Sequence, residues 1–296
     1  MTAWQRSFSR RSVWFLMPAL VLLGVFVVWP LVRAAWWSFH DVDLLAPERA
    51  GFVGGGNYSD LLSDPRFRRA FFNTALFAVL IVPLQTAAAL GLALLINRKE
   101  RAWRWLRVVF FLPVVVSLPV LAVVWSLLYR PVQGDEMGLV NAALTWIGIE
   151  GRAWLRDPQT ALPALAVMSI WQGVGLQMMV FLAGLQGVSR EQLEAAAIDG
   201  AGAWQRLRHV VLPALRNTTV FVVTVTTILS FRLFVQPYLM TRGGPDDRTL
   251  SLVQYIYEET FLNLDLGRAS AGAVLFLVWV GMLTWLQRVF FKEEKS

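Results

Sequence analysis

Residues 161–216 read ALPALAVMSIWQGVGLQMMVFLAGLQGVSREQLEAAAIDGAGAWQRLRHVVLPALR, and the two halves of this stretch decide the fold. The first, 161–187, is apolar and carries no charge. It is long enough to cross a hydrocarbon core, which takes about 20 helical residues. The second, 188–216, is polar and regularly patterned, a soluble piece held between two apolar runs.

The rest of the chain repeats the first half. Of 296 residues, 56% are hydrophobic and only 16% charged, where globular domains place charge at about a quarter of positions. Apolar segments near 13–37, 72–96, 106–129, 161–187, 217–240 and 270–291 each have the length of a membrane span, so the expectation is an all-α integral membrane domain of six transmembrane helices over 13–291. Tails of 1–12 and 292–296 flank it. No span contains Asp or Glu, and, apart from Arg107 and Arg288 at span edges, the only charges within them are Arg33 and Arg232. Trp14, Trp29, Trp36, Trp37, Trp103, Trp105, Trp125 and Trp285 sit close to span ends, where amphipathic rings prefer the headgroup level.

Lys and Arg concentrate on the cytoplasmic side of membrane proteins. With both termini inside, the pieces 1–12, 97–107, 188–216 and 288–296 carry 15 basic residues, whereas the outer loops 38–71, 130–160 and 241–269 carry 10, together with 14 of the 20 acids. The reading is therefore N-in, C-in, with 188–216 in the cytoplasm. Topology absorbs the net charge of +7, and nucleic acid is not needed to explain it. With no cysteine and only His40 and His209, a Cys- or His-ligated metal site is not expected. Arg10-Arg11 before the first apolar run imitates a targeting signal. The run has the length of a span, no clean cleavage site follows, and five further spans come after it.

Within the soluble piece, Ser189 followed at the third position by Gln192 is a helix-start pattern. The helix runs through Glu194, Ala195, Ala196 and Ile198 with its acids in the half nearest the positive end of the dipole. Asp199-Gly200 ends it, the glycine taking the left-handed conformation, and Ala201 opens the turn. A second helix is expected from about Ala203 to Val211, stopped by Leu212-Pro213 because the residue before a proline leaves helical geometry. The product is a helix-turn-helix with a small, alanine-rich face and an acidic edge. It suits close docking by another protein. A hairpin lying on the headgroups, with Arg206 and Arg208 against acidic lipid, is the plainer alternative.

The spacing adds a resemblance. Glu194-Ala195-Ala196, then Gly200, then Val210, Leu212 and Pro213 is similar to the signature of membrane subunits of binding-protein-dependent ABC importers. The likeness continues through Trp29-Pro30-Leu31, Trp37-Ser38-Phe39, Phe52-Val53-Gly54, Asn57-Tyr58, Asn73-Thr74, Phe111-Leu112-Pro113, Thr241-Arg242-Gly243-Gly244-Pro245 and Ile256-Tyr257. It looks closest to the sugar branch, and to the first permease of maltose and glycerol-phosphate systems. The resemblance implies that Glu194, Ala195, Ala196, Asp199, Gly200, Ala201, Leu212 and Pro213 couple to a cytoplasmic ABC ATPase dimer. It also implies a second permease subunit, an extracytoplasmic solute-binding protein, a sugar-like substrate, and residence in a bacterial or archaeal cytoplasmic membrane. Ser189 stands where the family usually has proline, and Asn217 where a proline commonly follows.

A polar solute needs hydrogen-bonding groups at membrane depth, where such residues are costly and therefore suspect. Span four carries the island Gln172-Gly173-Val174-Gly175-Leu176-Gln177. In span five, Thr226, Ser230 and Leu233 are expected on one helical face. These places match where the maltose-type permease contacts its sugar, so Gln172, Gly173, Leu176, Thr226, Ser230 and Leu233 are candidates for the pathway, with Gln177 and Arg232 secondary. The competing role for each is helix packing.

The chain has no Gly-x-x-x-x-Gly-Lys-Ser/Thr phosphate loop. It is expected to bind no cofactor itself and to leave ATP and Mg to a partner. An ion-coupled carrier is the rival class, disfavoured by spans without carboxylates. A membrane enzyme is the other, and its only hint, Asp246-Asp247, suits a solvated turn.

Overall fold

The computed structural model describes residues 15–97, 101–132 and 136–291, with the backbone alone at 101, 102, 104, 290 and 291. The two tails, Trp14, Arg98 and Lys99, which the sequence reading used for topology, lie outside the described residues.

Helices dominate. Among the described residues four are long and apolar enough to cross a membrane: α1 (Phe15–Trp37), α3 (Pro65–Ile96), α7 (Ala161–Gln186) and α12, whose apolar part is Leu266–Val289. Two further candidates are bent pairs, one at 102° and one at 67°. The strand content of the described residues is one antiparallel pair of two-residue strands, β1 (His40–Asp41) and β2 (Gly51–Phe52), with His40 opposite Phe52. The shorter helices are α2 (Gly56–Ser63), α6 (Leu139–Trp146), α8 (Arg190–Ile198), α9 (Ala203–Ala214) and α11 (Leu252–Phe261).

The chain divides into two compact units, one of residues up to Pro65 with Ile256–Val278, the other of Arg66–Tyr255 with the chain from Trp279 on. In the first, α1 has none of its apolar window buried, and the loop after it is tightly knit. Asn57, buried, donates Nδ2 to the carbonyls of Ser38 at 3.0 Å and His40 at 2.9 Å. A Cβ on Gly267 would stand 2.4 Å from the His40 carbonyl oxygen, so only glycine lets the two backbones meet there. Arg268 pairs with Asp64 at 2.9 Å. The sequence reading of turns and short surface helices holds here, with the small sheet added.

In the second unit, the core nearest the hairpin joins Ala89, Ala93 and Ile96 of α3 to Val174, Met178, Phe181, Leu182 and Leu185 of α7, and to Leu215 and Val222. Small residues bring backbones together, as is usual among membrane helices. A Cβ on Gly175 would lie 2.0 Å from the Phe110 carbonyl oxygen.

Three expected elements differ. The span at 106–129 is not one helix: α4 (Arg101–Val115) and α5 (Leu118–Leu128) meet at the 102° bend. Ser117 is extended there, with ψ of 129°, and Pro119 sits in the first turn of α5. A proline inside a continuous helix deletes a hydrogen bond and clashes with the carbonyl four residues back. Starting a new helix at Leu118 removes both penalties. The span at 217–240 likewise stops early. α10 (Arg216–Phe231) is capped by Arg232, and a π-helical turn over Pro237–Thr241 opens with its own proline. Finally, the second hairpin helix is not stopped at Leu212-Pro213. It passes through a π-helical turn, Leu207–Val211, and ends at Ala214. The wide turn, in which the Leu212 amide donates to the Leu207 carbonyl, shifts the ladder register ahead of Pro213. The ring is thereby admitted without a helix end.

Candidate functional site

The hairpin of α8 and α9 is built by local rules. Ser189 Oγ accepts the Gln192 amide at 3.3 Å, which satisfies one orphan donor of the first turn. At the other end Gly200 has φ of +81°. Its amide donates to the Ala197 carbonyl at 3.1 Å, and the Ala201 amide to the Ala196 carbonyl at 2.9 Å. This paired arrangement closes a helix on a left-handed residue. The Gly202 amide then donates to Gln205 Oε1 at 2.7 Å and begins α9.

The hairpin is fixed at its base and bare at its tip. Leu193, Val210 and Val211 pack against the core cluster that contains Ile96, Phe181 and Leu215. Ile198 is 87% exposed and Trp204 68% exposed. Such side chains cost free energy in water unless something covers them. Glu194, Ala195, Asp199, Gly200, Leu212 and Pro213 are exposed, and Ala196 and Ala201 are half-buried. Glu194 has no ion-pair or hydrogen-bond partner among the described residues. The coupling residues named from the sequence are thus gathered on one projecting element. A Cβ on Gly200 would meet nothing within 4 Å, so the glycine serves its backbone angle alone. Arg206 Nε is buried with no acceptor among the described residues.

The membrane candidates separate into two groups. Gln177 and Thr226 are brought together: Gln177 Nε2 donates to Thr226 Oγ1 at 2.5 Å, and Thr226 Oγ1 donates to the Val222 carbonyl at 2.6 Å. Both are buried, as is Ser230, whose hydroxyl donates to the Thr227 carbonyl at 2.8 Å. Leu233 is buried too, but beyond the end of α10, in a different cluster with Phe77, Ile81, Leu162, Leu165 and Ala166. The one-face expectation therefore holds for Thr226 and Ser230 and fails at Leu233. Gln172 is half-buried, and Leu176, one turn further along α7, is 44% exposed. Arg232 is exposed.

Sequence reasoning missed the glutamines that complete this seam. Gln85 of α3 covers Gly173: a Cβ there would stand 2.5 Å from Gln85 Nε2. Gln236 Nε2 donates to Ser169 Oγ at 3.1 Å, and Gln287 Nε2 to Thr227 Oγ1 at 2.8 Å. The signal was the same one that singled out Gln172 and Gln177, an amide inside an apolar run, left unapplied to the other spans. Gln177 Oε1 keeps no partner among the described residues. No cluster of metal-ligating side chains occurs among the described residues.

Residues 85–294, which hold the α7 seam and the whole hairpin, match the family described as binding-protein-dependent transport system inner membrane component. The chain belongs to that family. It is an integral inner-membrane protein and a permease subunit of an ABC transporter. It is 36% identical over 95% of its length to a probable ABC transporter permease protein, YurN, of Bacillus subtilis, covering 96% of that protein. It is 33% identical to the lactose transport system permease LacF of Rhizobium radiobacter, with 95% of this chain and 94% of that one covered. It is 31% identical to the sn-glycerol-3-phosphate permease UgpA of Pectobacterium atrosepticum, with 96% of each covered. In fold it matches a chain of a bacterial ABC transporter that imports the acidic polysaccharide alginate, with a TM-score of 0.83 at 20% identity over the full length of both. The permease fold is thereby fixed independently of the motif.

Proposed function

We propose that this permease forms half of the translocation pathway of an ATP-driven importer for a sugar or oligosaccharide. An extracytoplasmic binding protein delivers the solute, and a second permease subunit completes the path. A cytoplasmic ABC ATPase dimer supplies the ATP and Mg chemistry; the sequence of this chain has no Gly-x-x-x-x-Gly-Lys-Ser/Thr phosphate loop. The membrane domain crosses six times, N-in and C-in, with one crossing made by the bent pair of α4 and α5 and another begun by α10, which turns 67° away from α9. The hairpin, residues 188–216 including Glu194 to Pro213, lies on the cytoplasmic side.

The observation that carries the reading is the mechanical design of the hairpin. An apolar tip, Ile198 and Trp204, is held out from the chain, while the base is keyed through Leu193, Val210 and Val211 into the same cluster that packs α3 against α7. A push on the tip is delivered to the membrane helices through that packing, because close-packed interiors transmit displacement. Glu194 at the edge offers a charge to the docked surface. The relatives that transport lactose and glycerol phosphate support a small polyhydroxylated solute. Glycerol phosphate or a related polyol ester is the second reading, favoured by the exposed guanidinium of Arg232.

On this reading Gln172, Gly173 and Leu176 line the pathway, whereas Gln177, Thr226, Ser230 and Leu233 shape the wall behind them. The test is uptake of labelled lactose, other oligosaccharides and glycerol phosphate into proteoliposomes holding the full complex and its binding protein. Sugar uptake that requires ATP is the expected result. ATP-independent exchange by this chain alone identifies a carrier and refutes the proposal.

A further inference from the structure

We infer that the outer end of α1 carries a binding site for the phosphate of a membrane phospholipid, centred on Arg33. The inference rests on the reading of α1 as a membrane span. Trp29, Arg33, Trp36 and Trp37 stand at relative positions i−4, i, i+3 and i+4, which places them on one side of a helix. The Arg33 guanidinium carbon lies 4.7 Å from the ring centre of Trp37, 5.6 Å from that of Trp36 and 6.0 Å from that of Trp29. It therefore leans toward the span end. Arg33 lies four residues, ~6 Å of helical rise, from the last residue of α1. A long basic side chain in that position reaches headgroup level.

All three ring centres lie within 6.0 Å of the guanidinium carbon, in reach of cation–π attraction, which does not consume its N–H donors. Among the described residues none of these donors meets an acceptor. One turn on, the buried indole Nε1 of Trp37 is also without an acceptor among the described residues. Trp36 is tied down separately, stacked on His40 at 3.8 Å. The cation is thus preorganised and unmet at the end of a helix with no buried apolar window. Guanidinium recognises a phosphodiester by a planar pair of hydrogen bonds, and at this depth the group that offers one is the lipid headgroup.

The complex of the full chain with its partner subunits, purified in mild detergent, is titrated with phosphatidylglycerol and followed by native mass spectrometry. Dioleoylglycerol, which lacks the phosphate, and millimolar inorganic phosphate are the comparison probes. The expected result is phosphatidylglycerol bound about fivefold less tightly by Arg33→Gln, the loss of one arginine contact to anionic lipid. Arg33→Lys, keeping charge without the planar fork, falls between, dioleoylglycerol does not bind the site, and inorganic phosphate does not displace the lipid. Equal binding by Arg33→Gln overturns the inference. So does displacement by inorganic phosphate, which marks a soluble-anion site, or loss of the partner permease from the Arg33→Gln complex, which marks a protein contact. ATP-driven uptake by Arg33→Gln is read alongside, so that a failure of the transport proposal is told apart from a failure of this site.

Discussion

Gly200 and Gly175 are glycines for opposite reasons, and the difference predicts different phenotypes. Gly200 needs its φ of +81° and has open space around it. Gly200→Asn, which tolerates the left-handed region, keeps most transport activity, whereas Gly200→Val costs about 1–2 kcal/mol in that conformation and uncouples ATP hydrolysis from uptake. Normal coupling in the valine variant would contradict the turn's role. Gly175 needs space: a Cβ would intrude on the Phe110 carbonyl at 2.0 Å. Gly175→Ala should lower the free energy of unfolding in detergent by an amount typical of overpacking, about 1–3 kcal/mol. Gln177 and Thr226 pose a sharper question, since each is the other's partner. Thr226→Val strips the Gln177 amide of its acceptor, at a cost of about 1 kcal/mol. It leaves the KM for the solute within about twofold, while Gln172→Ala raises it by about tenfold, the loss of one hydrogen bond worth about 1.4 kcal/mol. A large KM change in Thr226→Val, with stability intact, would return Thr226 to the pathway.

Among the elements, the hairpin was the most legible in the sequence, because Ser189, Gln192 and Gly200 act through local hydrogen bonds that need no knowledge of the rest of the fold. The spans were legible as apolar lengths, since lipid demands helices of that size. Their breaks were not. Pro83 is absorbed within α3 and Pro113 within α4, while Pro119 starts a new helix. The same residue type has two outcomes, decided by packing against neighbours. Leu233 was lost for the same reason, because its assignment assumed that α10 continued past Phe231. The membrane seam was half legible: the amides could be seen, but which of them pair could not, since pairing joins residues as far apart as Gln177 and Thr226 or Thr227 and Gln287. The hairpin's exposed tip makes its own prediction. Ile198→Asp combined with Trp204→Asp should release the ATPase from the purified complex while the permease stays in the membrane, read by co-purification. Retention of the ATPase by that double variant would place the docking surface elsewhere.

For the molecule as a whole, the absence of native cysteine makes topology directly measurable. A single cysteine at Ala197 should react with an impermeant maleimide only from the cytoplasmic side, and one at Ser59 only from outside. The reverse pattern would invert the orientation and remove the hairpin from the ATPase. Orientation, coupling and partner dependence converge on one quantity, the number of solute molecules accumulated per ATP hydrolysed. That ratio is best measured in proteoliposomes containing this chain, its partner permease, the ATPase and the binding protein, with wild-type Glu194 and Gly200 against a variant carrying Glu194→Ala and Gly200→Val. A fixed ratio in the wild type, falling toward zero in the variant while ATP hydrolysis persists, is the predicted result. An unchanged ratio in the variant would contradict the claim that the hairpin couples ATP hydrolysis to transport.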